Sequence, residues 1–439
     1  IRSVQPTEPF EGRVSASLFN AGGRIGGRFA GCGDWLVSAR RGTLDLVLEV
    51  ANPDLGRPVY ADLYGRVERC VGDALRVSAN ALVFDDDLVV NDVDQEERAR
   101  AGYRDQYYWL RFDYGAGGDG GGRLLASRTR LASTRMGEAD LPGIGRGALR
   151  DRRDFTIDSI VAEGWWPFAG GSVVEAGAEW RHMRGSYRYR DSADFDLLFD
   201  LPGAPDAPAR SRDIALRPRG DHVGAYLTLG TGRGGPFAAD LGLRWDQHSL
   251  AGLDQDVLSP RAMILWSPAA GTRLRLGWGR FFQTQSVDEL QVSDGDATVH
   301  RAQRADQLVA SIERTLGRGF ELRLEGYRKA YRHLRPRYEN LLESLFVLPE
   351  LKPDRIRIDP SSATAKGLEL SLGYDAGESL TGWASYSWSS VDDRISPSLT
   401  RRAWDHAHSV GAGIARRGPR WEFTLAALWH SGWPSTEVE

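Results

Sequence analysis

Between residues 273 and 278 charged and apolar positions alternate: Arg273, Arg275 and Gly277 stand against Leu274, Leu276 and Trp278. A period of two places the sets on opposite faces of a strand. The pattern recurs. Leu75, Val77, Ala79, Ala81 and Val83 alternate with Arg76, Ser78 and Asn80, and Leu241, Leu243 and Trp245 with Asp240, Arg244 and Asp246. Near the end of the chain Trp421, Phe423, Leu425, Ala427 and Trp429 alternate with Glu422 and Thr424. In FELRLEGYRKAY the polar set is Glu321, Arg323, Glu325, Tyr327 and Lys329. That face is too charged for a dry core and suits a hydrated lumen, whereas the apolar face suits lipid. The arginines are therefore expected to point inward.

Turn chemistry punctuates these strands. Tight Gly-, Asp- and Pro-containing connections fall at 32–35, 71–74, 115–122, 167–171, 230–236, 267–271, 316–319, 375–379 and 416–419. Between them lie mostly longer, polar connections at 20–23 and near 50–58, 85–105, 138–152, 189–220, 248–257, 283–305, 337–362 and 392–407. Short and long connections on opposite ends of the strands are the habit of up-and-down membrane barrels. Counting them gives about nineteen strands. The expected fold is all-β, a transmembrane up-and-down antiparallel β-barrel. A soluble multi-strand protein has no reason to sort its loops this way.

The 439 residues carry a net charge of -4, and mean hydropathy is -0.40. This balance provides no polybasic surface, so no nucleic-acid partner is expected. No apolar run is long enough for a transmembrane helix, but a barrel strand needs only about 9–11 residues of alternating character. The chain opens on Ile1 without a charged-then-apolar leader, so an exported protein would be represented by an internal part. Trp35, Trp166, Trp266 and Trp421 fall beside short turns, and Trp109, Trp388, Trp429 and Trp433 toward long connections, as expected of two interfacial aromatic girdles. Cys32 and Cys70, with a strand taken to lie between them, are expected about 9–10 Å apart and beyond disulfide reach.

Chemistry is sparse. The eight His show no HExxH spacing, no GxSxG elbow occurs, and residues 142–150 miss GxGxxG because position 148 is Ala. An enzyme is not expected, nor a cofactor. The acidic run at 84–97 offers Asp85, Asp86, Asp87, Asn91, Asp92 and Asp94 as oxygen ligands. Asp85, Asp87, Asp92 and Asp94 are the calcium candidates, although EF-hand spacing is missing and a solvated loop is the plainer account.

Several segments together resemble the barrel of TonB-dependent outer-membrane receptors: LVSARRGTLDLVL (36–48), LSPRAMILWSP (258–268), GWGRFFQTQSVDEL (277–290), SSATAKGLELSLGYD (361–375), RRAWDHAHSVGAGI (401–414) and WHSGWPST (429–436). The resemblance implies a bacterial outer-membrane location and a 22-stranded barrel filled by an N-terminal plug. It also implies uptake of a scarce ligand, such as a siderophore or other large solute, powered through the TonB complex. Residues 1–10 would end the plug and link it to the barrel, and residues 11–439 would form an incomplete barrel of about 19 of 22 strands. An open wall is then expected between residues near 15 and near 425. The implied partners are TonB, reached through a region preceding this chain, outer-membrane lipid and lipopolysaccharide, and an extracellular small-molecule ligand. Gln283, Gln285 and Asp288, with Arg335, Arg337 and Tyr338, lie at the outer ends of rising strands and are ligand-contact candidates by position. A passive outer-membrane channel is the alternative; a plug with a TonB-binding segment upstream of Ile1 would favour the receptor.

Overall fold

The structure is a computed structural model that describes residues 5–433 apart from 52–55, 93–96, 116–119, 142–144, 196–208, 233, 342–347, 378 and 404. Its strands are β1 (Glu11–Ala16), β2 (Asn20–Arg28), β3 (Gly33–Gly42), β4 (Arg57–Val71), β5 (Leu75–Asp92), β6 (Glu97–Tyr114), β7 (Gly121–Leu141) and β8 (Gly145–Phe168). There follow β9 (Ser172–Phe195), β10 (Ala209–Leu216), β11 (Arg219–Thr231), β12 (Phe237–Leu250), β13 (Leu253–Ala269), β14 (Thr272–Gln283), β15 (Gln303–Gly317) and β16 (Phe320–Arg332). The last are β17 (Arg337–Asn340), β18 (Arg355–Ile358), β19 (Ser362–Asp375), β20 (Leu380–Ile395), β21 (Ser398–Arg401), β22 (His408–Arg417) and β23 (Glu422–His430).

All but β17 and β18 form one 21-stranded antiparallel sheet in which chain neighbours are sheet neighbours. β10 and β11 both pair with β9, and β21 and β22 both pair with β20, so each couple is one interrupted crossing. Among the described residues the wall thus has nineteen crossings, in line with the turn pattern. Among the described residues β1 pairs with β2 alone and β23 with β22 alone, and the two edges share no ladder.

Three features differ from the expectations. Several outer connections read as long are tight, because the ladder continues where hydrophobic alternation stops. β8 and β9 each run 24 residues, more than twice the ~9–11 that cross a bilayer, and the supposed loop at 248–257 is a two-residue turn. There Ala251 (φ 48°) and Gly252 (φ 91°) join the paired Leu250 and Leu253, the positive-φ hairpin geometry that matches strand twist. Secondly, residues 44–51 form a helix, α1 (Leu44–Ala51), rather than the end of a strand. The Thr43 carbonyl accepts from Leu46 and Val47 N–H, and Asp45 in the first turn pairs with Arg41 at 2.8 Å. Thirdly, Cys32 and Cys70 form a disulfide with Cα atoms 5.5 Å apart. Cys32 precedes β3 and Cys70 is the penultimate residue of β4; these strands pair directly, with Gly33 opposite Arg69, so no strand intervenes.

The two faces of the wall separate as the alternation requires. Leu276, Trp278, Leu243, Trp245 and Ile264 are exposed on one face. Arg273 and Arg275 stand on the other, both ion-paired with Glu313 of β15. This charged face is the inner one, since it continues across the register to the residues covered by inward-folded loops. Trp109 belongs to it as well, stacked on Tyr64 with ring centroids 6.1 Å apart rather than placed in an outer girdle. Trp166, Trp266, Trp421, Trp429 and Trp433 remain exposed.

Candidate functional site

Two long connections on one end of the wall fold back over its inner face. The first, residues 284–302 between β14 and β15, inserts Val287, Leu290 and Val292 among Phe155, Met183, Tyr187, Tyr189 and Leu250 of β8, β9 and β12. Each buried aliphatic side chain contributes about 1.5–3 kcal/mol. The Tyr187 hydroxyl pins the loop by donating to the Val287 carbonyl (2.8 Å) and accepting from Leu290 N–H (3.3 Å). Position 185 is glycine because a Cβ there would lie 2.8 Å from Val287 Cγ2.

The second connection, 333–361 between β16 and β19, carries the β17–β18 hairpin. Its tip reaches across to β6, β7 and β8, where Leu348 and Leu351 pack with Ala99, Ala139 and Leu149. Leu348 N–H donates to the Glu97 carboxylate at 3.1 Å. The Glu350 carboxylate is buried and takes a two-pronged bond from Arg135 of β7 (2.6 and 3.4 Å). Arg135 also holds Asp151 at 2.9 Å, and Arg210 donates to the Glu350 main-chain oxygen at 2.5 Å. The loops are bonded to each other too: Arg335 pairs with Glu289 (2.7 Å), Arg355 with Asp294, and Gln291 donates to the Pro336 carbonyl (2.8 Å). Together they make an ion-paired strap across the inside of the wall.

The strap contains all but one of the candidates picked by position. Gln285 is 1% exposed; its amide donates to the Glu289 carbonyl and accepts from His300 N–H. Arg335 also donates to the Thr284 carbonyl, and Arg337 pairs with Glu339 (2.5 Å) and Asp393 of β20 (2.8 Å). These three side chains are spent on holding the loops. Asp288 is half-buried and accepts from the Ser286 hydroxyl, while Tyr338 lies under the Arg355 guanidinium with 6.0 Å to its ring centre. Gln283 is exposed at the end of β14. Burial opposes ionisation of Asp296, yet Thr298 N–H and His300 hold its carboxyl below the usual carboxylate range. Burial, with Asp296 nearby, raises the Tyr338 phenol.

Glu350, Asp191 and Asp393 carry no signal in the sequence. Asp191 is fully buried between Arg210 (3.2 Å) and Arg212 (2.5 Å), and Asp393 between Arg337 and Arg402 (2.7 Å). Such partners meet only in the folded wall. The acidic run is a strand as far as Asp92, not a loop. Asp85 and Asp87 face Arg104 and Arg100 on β6, each at 2.6 Å, while Asp94 and the Asp92 side chain lie outside the described residues.

On the face turned away from the strap, the tips of β4–β10 enclose two adjoining hollows of about 950 and 930 Å³. Arg57, Arg98, Arg100, Arg146, Arg150 and Arg190 line them, with Glu138 and Asp194 among the counter-charges.

The sequence profile of a family described as "TonB dependent receptor-like, beta-barrel" matches residues 26–437. Among solved structures the chain is similar to the ferric citrate transporter FecA in its unliganded form, at 14% identity and a TM-score of 0.66 over 98% of this chain and 64% of that one. It is similar to the ferripyoverdine receptor of the Pseudomonas aeruginosa outer membrane at 13% identity and a TM-score of 0.68, over 97% of this chain and 62% of that one. The copper transporter OprC matches at 14% identity and a TM-score of 0.68, over 98% and 68%. The chain thus spans less than two thirds of the length of the first two structures. No curated protein sequence matches it.

Proposed function

The chain belongs to the TonB-dependent receptor family and is an outer-membrane β-barrel, and from that premise we propose that it forms the wall and strap of an active importer for a scarce, bulky solute. The strap carries this reading. A passive channel works with an open mouth, whereas a mouth crossed by buried ion pairs opens at a cost that binding energy or an external drive must meet. Coupling to TonB provides such a drive. Residues 1–10 are then the link from a plug, and residues 11–439 the greater part of the barrel. A siderophore or another metal chelate is the favoured cargo class, in keeping with relatives named for ferric citrate, ferripyoverdine and copper.

Of the residues picked by position, Gln283, Asp288 and Tyr338 are the ones available to meet ligand. Gln285, Arg335 and Arg337 act as the latch that ligand loosens. The arginine-lined outer hollows suit phosphate-rich lipopolysaccharide: Arg100 lies eight residues above Tyr108 at the aromatic edge of β6, roughly 26 Å along the strand and beyond the bilayer core. No catalytic role is proposed.

Uptake of a panel of ferric chelates by cells making the full-length receptor tests the reading. Import should stop when a protonophore collapses the inner-membrane gradient. Import that continues unchanged would place the protein among passive channels.

A further inference from the structure

The inner wall carries a second polar cluster, independent of the importer reading. Glu179 of β9, His222 of β11 and Asp246 of β12 bring one ligand atom each to within 4.8 Å of one another. His222 Nε2 lies 3.1 Å from Glu179 Oε1 and 3.2 Å from Asp246 Oδ1. A tetrahedral ion with bonds of about 2.0–2.1 Å holds its donors about 3.3 Å apart, so these separations are already those of a coordination shell.

A further candidate donor is His248, which stands outside that 4.8 Å group, two residues beyond Asp246 and opposite His222 in the β11–β12 register. It is 2% exposed, and neither ring nitrogen reaches a partner in hydrogen-bond geometry; the Gln285 main chain is the polar group that faces it. A buried imidazole without a well-formed hydrogen bond is costly. The two rings stand with centroids 5.8 Å apart, close to the ~5 Å of two imidazoles on one ion. Room is provided by Gly224, where a Cβ would fall 2.7 Å from Asp246 Oδ1 and 2.6 Å from Arg244 Nη2. Arg244 bonds both Glu179 and Asp246 and is 36% exposed, so a cation already sits on these carboxylates and has the lumen to swing into.

We propose that Glu179, His222, Asp246 and His248 form a binding site for a divalent transition-metal ion of the zinc type, with the Arg244 guanidinium standing in when the ion is absent. Two imidazoles and two carboxylates select such an ion over magnesium, which prefers an all-oxygen octahedron. Because His248 lies against the main chain of the 284–302 loop, the bound ion ties three wall strands to the seat of the strap.

The test uses full-length receptor extracted from outer membranes in detergent, stripped with EDTA and titrated with zinc chloride, with magnesium chloride in parallel. One zinc per chain is expected, with magnesium far weaker. His222→Ala and His248→Leu should each lower zinc affinity roughly tenfold or more, and Arg244→Gln, which leaves all four donors, should raise it. Heat-modifiable migration on gels confirms assembly of each variant. Zinc binding that is indifferent to the histidine variants, or magnesium bound equally well, would overturn the site. If the histidine variants fail to assemble, unchanged zinc affinity in Arg244→Gln overturns it by itself.

Discussion

Replacing Arg135 with alanine should strand the Glu350 carboxylate inside the strap. Arg135 is the side chain that bonds this buried carboxylate, while Asp151 keeps Arg153 at 2.7 Å. Losing one partner of a buried pair costs about 3–5 kcal/mol, because a charge is left without compensation. At 1.36 kcal/mol per tenfold change, closure of the strap tip should weaken by about 10²–10⁴-fold. Adding Glu350→Ala removes the stranded charge. The double variant should then lose only the value of the charged hydrogen bonds, about 1.5–3 kcal/mol, with Leu348, Leu351 and Arg210 still holding the tip. Hydrogen exchange of peptides from 333–361 measures this: Arg135→Ala should exchange fastest, the double variant at an intermediate rate, and the native protein slowest. Exchange in the double variant as fast as in Arg135→Ala, or no change in the single, would refute the buried-pair account of strap closure.

The register makes a further prediction: Leu276→Arg places charge in lipid at about 2–4 kcal/mol near the midplane, whereas Arg275→Leu alters a lumen position. Folded, heat-modifiable barrel in outer-membrane fractions should fall sharply for the first and little for the second; equal yields would count against the assignment of faces. The Asp296 carboxyl sits below its unfolded value of about 3.9, so its contribution is present in full above that pH and is lost as pH falls through the folded value. Protease protection of the 284–302 loop should therefore weaken on acidification below about pH 4, and Asp296→Asn should remove that part of the pH dependence.

Much of the wall was legible because lipid and lumen write a period-two code, and it showed clearly in Leu274, Leu276 and Trp278 against Arg273 and Arg275. The code ends where both faces meet water, which is why the ladders of β5–β9 above the membrane read as loops. The disulfide was missed through a topological slip, since Cys32 immediately precedes the strand that pairs directly with the one carrying Cys70 near its end. Strap chemistry was illegible for a different reason. Glu350 and Arg135 are 215 residues apart, and neither has a local pattern that announces the other. Position along the rising strands led to the two loops that fold over the inner wall, but it carried no sign that Gln285, Arg335 and Arg337 hold those loops in place.

Strand β14 separates lipid from a wet lumen with its arginines inward. A spin label moved one residue at a time from Leu274 to Trp278, in receptor held in outer-membrane vesicles, tests this arrangement most directly. Collisions with oxygen, which concentrates in lipid, should peak at 274, 276 and 278, and collisions with a water-soluble nickel chelate at 275 and 277. Accessibility that fails to alternate, or alternates in the opposite phase, would contradict the account.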